Sequence, residues 1–293
     1  MGGVLGWLVT AGGGVLVLAA LLDIFHTIWH PSGRGALSRR LMRAVWRAGR
    51  RRQAPVTGPV AMATVVLLWM TLICGGFALV YWPHLPEGFL YATGLDPAEH
   101  SGLLDALYLS AVTLTTLGFG DISPEAAWLR VVAPAEALVG LMLVTAAVSW
   151  VLQVYPALSR RRTLAVRLSQ LQGAGGAERV AAGDSALLPG LLAQVAADVV
   201  QLRVDLFQHP ETHFFTDSRP DAALAPALRV ALDLADAAVA SGDPDTRFAG
   251  RLLDAAVCDF LTVVDDEFEH SGGAPRDVLV GYADGRSARR PTP

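Results

Sequence analysis

Apolar residues concentrate in three long blocks, residues 4–28, 58–82 and 126–155, set apart by stretches where polar and charged positions dominate. Each block can cross a hydrocarbon core of about 30 Å as a helix, so the pattern predicts three spanning helices. A fourth apolar run, residues 103–112, is too short to span and predicts a re-entrant or buried helix. Past the third block, residues 187–208, 222–240 and 247–268 show Ala-rich helical spacing broken by Pro210, Pro220, Gly242 and Pro244. They predict a helical domain over 187–270. Pro156 is expected to kink or end the third spanning helix. Residues 157–186, with a Gly/Ala-rich stretch at 173–184, read as a linker, and the Gly/Arg/Pro-rich residues 271–293 as a disordered tail.

Composition agrees with a membrane protein: of 293 residues, 53% are hydrophobic and 17% charged, too apolar for an ordinary soluble domain. No Arg or Lys precedes Arg34, so residues 1–30 lack the charged start of a secretory signal and read as a retained helix. Basic residues are all arginine. Arg34, Arg39, Arg40, Arg43, Arg47, Arg50, Arg51 and Arg52 crowd between the first two blocks, whereas residues 83–101 have no Arg or Lys and carry the acids Glu87, Asp96 and Glu99. The positive-inside rule then puts 31–57 in the cytoplasm and the N-terminus outside. Arg160, Arg161, Arg162 and Arg167 put the C-terminus in the cytoplasm and the protein in the cell (inner) membrane. Cys74 lies mid-span and Cys258 on the reducing side, so no disulfide is expected.

Residues 113–124 read TLTTLGFGDISP and lie between the short apolar run and the third block. If the short run descends part-way into the bilayer, the chain must return as non-helical backbone, tolerated at that depth only when buried in protein or lining a water-filled path. Gly118 and Gly120 permit left-handed backbone angles, so that successive carbonyl oxygens can turn to one side. Thr113, Thr115, Thr116, Leu117, Gly118, Phe119, Gly120 and Asp121 resemble the selectivity-filter signature of the potassium-channel pore domain, in which such carbonyls replace the ion's hydration shell.

The resemblance covers residues 58–156 and implies an all-α membrane protein: outer helix, pore helix, filter and inner helix, plus one extra N-terminal transmembrane helix and a helical cytoplasmic domain. It implies potassium as the transported ion, no organic cofactor, no enzymatic activity and no nucleic-acid partner. The carbonyls of Thr116, Leu117, Gly118 and Phe119, with the Thr116 hydroxyl, would hold the ion, and Gly120 would shape the outer mouth. Leu117 stands where Val is usual and Phe119 where Tyr is usual. One filter per chain implies a homotetramer, since a carbonyl ring needs equivalent contributors around an axis. No apolar span carries regularly spaced arginines, so a voltage sensor is not expected. A non-conducting sensor or scaffold built on a channel-like module is the competing reading.

Around the filter, Thr113 and Thr115 support the motif, Tyr108 is placed to bond Asp121, and Glu136, an acid within an apolar zone, is expected to hydrogen-bond behind the filter. Gly140 falls where the family has its hinge glycine, with close helix packing as the alternative. Leu141, Val144, Val148 and Leu152 share its stripe, either as an apolar cavity and constriction for gating or as lipid and neighbour contacts.

Elsewhere the readings are plainer. Residues 37–52 put Leu37, Leu41 and Val45 opposite Arg39, Arg43, Arg47 and Arg50, a basic amphipathic helix suited to anionic lipid, with a solvated linker as the alternative. Asp23, His26 and His30 share a helical face and could hold a metal, although interfacial histidines at a helix end are favoured. His209, His213 and the acidic run 265–270 could bind a metal ion, although a solvated helix end is favoured. GAGG at 173–176 has no strand before it and is not a dinucleotide loop.

Overall fold

A computed structural model describes residues 3–28, 35–50, 57–183, 185–217 and 219–284. Helices α1 (Val4–Ile28), α2 (Ala36–Arg50), α3 (Thr57–Tyr81), α4 (Leu103–Leu114), α5 (Leu129–Gly173), α6 (Gly176–Ala182), α7 (Leu188–Gln208), α8 (Leu224–Ala240), α9 (Pro244–Val264) and α10 (Pro275–Asp284) follow in chain order. Two short strands, β1 (Phe89–Tyr91) and β2 (Ile122–Pro124), pair antiparallel with Leu90 opposite Ser123. The chain divides into two compact units, Met1–Ala44 with Val60–Leu152, and Val45–Pro59 with Gln153–Pro293. Among the described residues, three helices are long and apolar enough to cross a membrane: α1, α3 with its following turn, and α5.

In the first unit, α1 and α3 meet where side chains are smallest. A Cβ on Gly13 would lie 2.4 Å from the Gly76 carbonyl oxygen, so glycine is what lets the two backbones approach. Near the end of α1, the buried Asp23 carboxylate accepts from the backbone amides of Leu37 (2.8 Å) and Ser38 (3.2 Å), the Ser38 hydroxyl, and Trp69 Nε1 (2.9 Å). It thereby caps the start of α2, where the first amides of a helix have no partner of their own. Trp69 also packs on Trp150 of α5 at 5.5 Å, both nearly devoid of exposure. The strands close this connection: Ala92 N donates to Asp121 O (2.8 Å) and Glu125 N to Gly88 O (2.9 Å), tying the segment before α4 to the end of the 113–121 stretch and the residues just past it. The sequence pattern offered no sign of this pairing.

The second unit packs α7, α8 and α9 with the last turns of α5 around a core that includes Leu168, Leu192, Val199, Leu228, Leu253 and Phe260. Here three expectations change. The third spanning helix does not end at Pro156, since α5 runs through it to Gly173. Residues 157–186 are not a plain linker, because Leu164, Ala165 and Leu168 recur at helical spacing and are buried in that core. Within 271–293, residues 275–284 form a helix whose Val278, Leu279 and Tyr282 are buried, one face at helical spacing that the Gly/Arg/Pro-rich surroundings disguise. Residues 285–293 lie outside the described residues.

Arginines that the charge count assigned to membrane topology also build this unit. Arg160 pairs bidentately with buried Asp205 (both 2.7 Å). Arg161, 5% exposed, donates to the carbonyls of Thr212 and Phe215 (both 2.8 Å) and to Asp217 (2.7 Å), which Arg162 also meets (2.6 Å). Arg276 fastens α10 through Asp236 and Asp254.

Candidate functional site

The backbone of 115–121 leaves the helical region as α4 ends. Thr116 has φ 58°, Gly118 φ 57° and Gly120 φ 74°, so every second residue is left-handed. Alternation of hand reverses the drift that a run of like angles would give, and the carbonyls of the segment can share one direction. Glycine adopts these angles without a Cβ penalty. Thr116 does not: a β-branched residue there is a strained exception, and such strain of order 1–3 kcal/mol persists only where the surroundings over-determine it. The anchors are visible. Thr116 N donates to Thr113 O (2.9 Å), and Leu117 N (3.0 Å) and Gly118 N (3.3 Å) both reach Val112 O, while Thr115 Oγ1 bonds Ala111 O (2.7 Å). Leu117 and Phe119 are 58% and 64% exposed in the single chain.

Behind this stretch, Tyr108 Oη donates to Asp121 Oδ2 at 2.6 Å. Deeper, Glu136 has no exposed surface; Tyr81 Oη donates to its Oε2 (2.5 Å), and Ser110 Oγ lies 2.5 Å from its Oε1 and 2.9 Å from Cys74 O. One carboxylate thus joins α5, α3 and α4. Tyr81 and Ser110 were not singled out from the sequence; the Ser110 hydroxyl, two residues past that of Tyr108 in the apolar run 103–112, was the available signal for one of them.

Gly140 meets α4 directly. A Cβ there would sit 1.9 Å from Leu114 O, so close approach is what this geometry requires of the glycine, and α5 is continuous through it. Leu141, Val144, Val148 and Leu152 stand exposed along one stripe of the single chain.

The remaining candidates separate. Asp23 is committed to the α2 cap, His26 contacts Leu22 O (2.7 Å), and His30 lies outside the described residues. No group of three metal-ligating side chains occurs among the described residues. His213 stacks on Phe268 at 3.9 Å inside the second unit, and buried Asp265 accepts from Ser271 and Gly272. Asp265 is therefore buried in the π-helical turn that ends α9, while Asp266 and His270 are exposed. On α2, Arg39 and Arg47 are exposed and Arg43 is half-buried, while the Arg50 side chain lies outside the described residues.

Residues 64–155 match a family model described as an ion channel. The chain is 27% identical over 173 residues to the uncharacterized membrane protein YdjJ of Bacillus subtilis (strain 168), covering 57% of this chain and 49% of that one. It is 28% identical over 131 residues to a Rhodopseudomonas palustris protein provisionally named a potassium channel, covering 45% and 30%. Against protein LctB of Bacillus caldotenax it is 35% identical over 86 residues, covering 27% and 61%. The chain spans less than two thirds of the length of each of these relatives. No solved structure matches it.

Proposed function

We propose that residues 64–155, which match an ion-channel family model and include apolar helices long enough to cross a membrane, form a pore domain, and that four copies assemble into a passive, potassium-selective channel. The observation that carries this reading is the alternation of left-handed residues at Thr116, Gly118 and Gly120, which suits a column of carbonyls facing an axis. The ion sites would be the carbonyls of Thr116, Leu117, Gly118 and Phe119 with the Thr116 hydroxyl, and Gly120 would shape the mouth. Tyr108–Asp121 would brace the mouth and Glu136 would fix the inner helix to the pore helix. Exposure of Leu117 and Phe119 in one chain fits a segment that other copies complete. Val144, Val148 and Leu152 would form the inner constriction. The basic face of α2, with Arg39, Arg43 and Arg47, would meet anionic lipid of the inner leaflet, the N-terminus lying outside and the C-terminal helices in the cytoplasm.

The test is potassium flux into proteoliposomes, wild type against Gly118→Ala. A Cβ at Gly118 meets nothing within 4 Å, so the change acts on the backbone angle, not on space in the chain. Loss of flux from a still-assembled oligomer is expected. Unaltered potassium-over-sodium permeability in the variant would rule out the filter assignment, and absence of flux from wild type would favour the scaffold reading.

A further inference from the structure

The second unit holds a cavity of about 310 Å³ between the end of α5 and helices α6, α7 and α8. Its size sits at the lower end of small-molecule sites, and its walls are aliphatic, with Leu171, Val180, Leu192, Val195 and Leu234 among them. Among the described residues that line it, Arg179 supplies the one charged group, on an exposed position of α6. Aliphatic walls without an aromatic face suit a flexible hydrocarbon chain better than a flat ring system. A guanidinium at the margin suits a carboxylate, which it can grip with two parallel hydrogen bonds.

We propose that this cavity binds a free fatty acid, the chain lying along Leu171, Leu188 and Leu191, over a floor of core side chains, and the carboxylate meeting Arg179. The site is separate from the pore domain and does not depend on conduction: binding is measurable whether or not the chain passes ions.

The experiment uses the full chain in lipid nanodiscs, photolabelled with a diazirine analogue of dodecanoate, with labelled peptides mapped by mass spectrometry. Label is expected on α6 and α7 and should be suppressed by excess dodecanoate but not by dodecanol. Arg179→Gln should weaken labelling about tenfold, the loss expected for one charge-assisted contact. Ala174→Trp, at an exposed position on the cavity wall, should block it by filling the entrance while leaving the core residues in place. Label confined to the membrane helices would overturn the proposal, as would label on α6 and α7 unaffected by both variants. Equal competition by dodecanol would overturn the carboxylate contact, and so would stronger competition by a lysophospholipid than by dodecanoate.

Discussion

At the scale of single residues, hydrogen-bond partners and close contacts sort the candidates. Tyr108 and Asp121 share one bond, so Tyr108→Phe and Asp121→Asn should change the decay of current during sustained opening in the same direction. The double variant should do little more than either single one. Fully additive effects, read from the three decay rates, would show that the residues act separately. Gly140 gives a sharper contrast. Alanine would force a Cβ against Leu114 O, and overpacking of this kind costs roughly 1–3 kcal/mol, more than the helix propensity it gains. Gly140→Ala should therefore lower the thermal stability of the pore unit and the yield of assembled protein. A stable, assembled variant with merely reduced opening would point to a hinge instead. Glu136 belongs to the same layer: Tyr81→Phe leaves a buried carboxylate short of a donor and should destabilise by about 1–3 kcal/mol in unfolding measurements.

At the scale of elements, α10 shows how a short helix is held. Arg276 holds the Asp236 carboxyl below the usual carboxylate range, and Asp236 and Asp254 keep the guanidinium charged. A depressed carboxylate stabilises the fold above its unfolded pKa, near 4, and that contribution is lost as pH falls through the lower folded value. Arg276→Gln should thus lower the melting temperature at neutral pH by no more than about a few degrees, the pair being half exposed. The difference from wild type should shrink below about pH 4; a difference constant with pH would mean that the ion pair is not its source. The three spanning helices and α4 were legible because long apolar blocks carry an unmistakable length signal. Helix α10 and the far end of α5 were not. Their buried positions are few, they sit among Gly, Arg and Pro, and the partners that bury them are distant in sequence. For a related reason Pro156 does not end the helix: a local helix-breaking preference yielded to the tertiary burial of Leu164 and Leu168 further along it.

At the scale of the whole molecule, the 113–121 motif was readable from spacing, yet the left-handed Thr116 was not, because only the glycines announce such angles. The long α5 also changes where the chain can be divided. A cut after Gln172 would strand Leu164, Ala165 and Leu168 without the helices that cover them. A cut after Tyr155 removes that stripe as well, and should leave a selective pore if the first unit carries the filter alone. The most direct measurement is the reversal potential of wild-type protein in a planar bilayer, with potassium on one side and sodium on the other. A channel selecting through the carbonyls of Thr116 to Phe119 should place it close to the potassium equilibrium potential, with the current abolished by Gly118→Ala. A reversal potential near zero, with sodium and potassium passing alike, would contradict it.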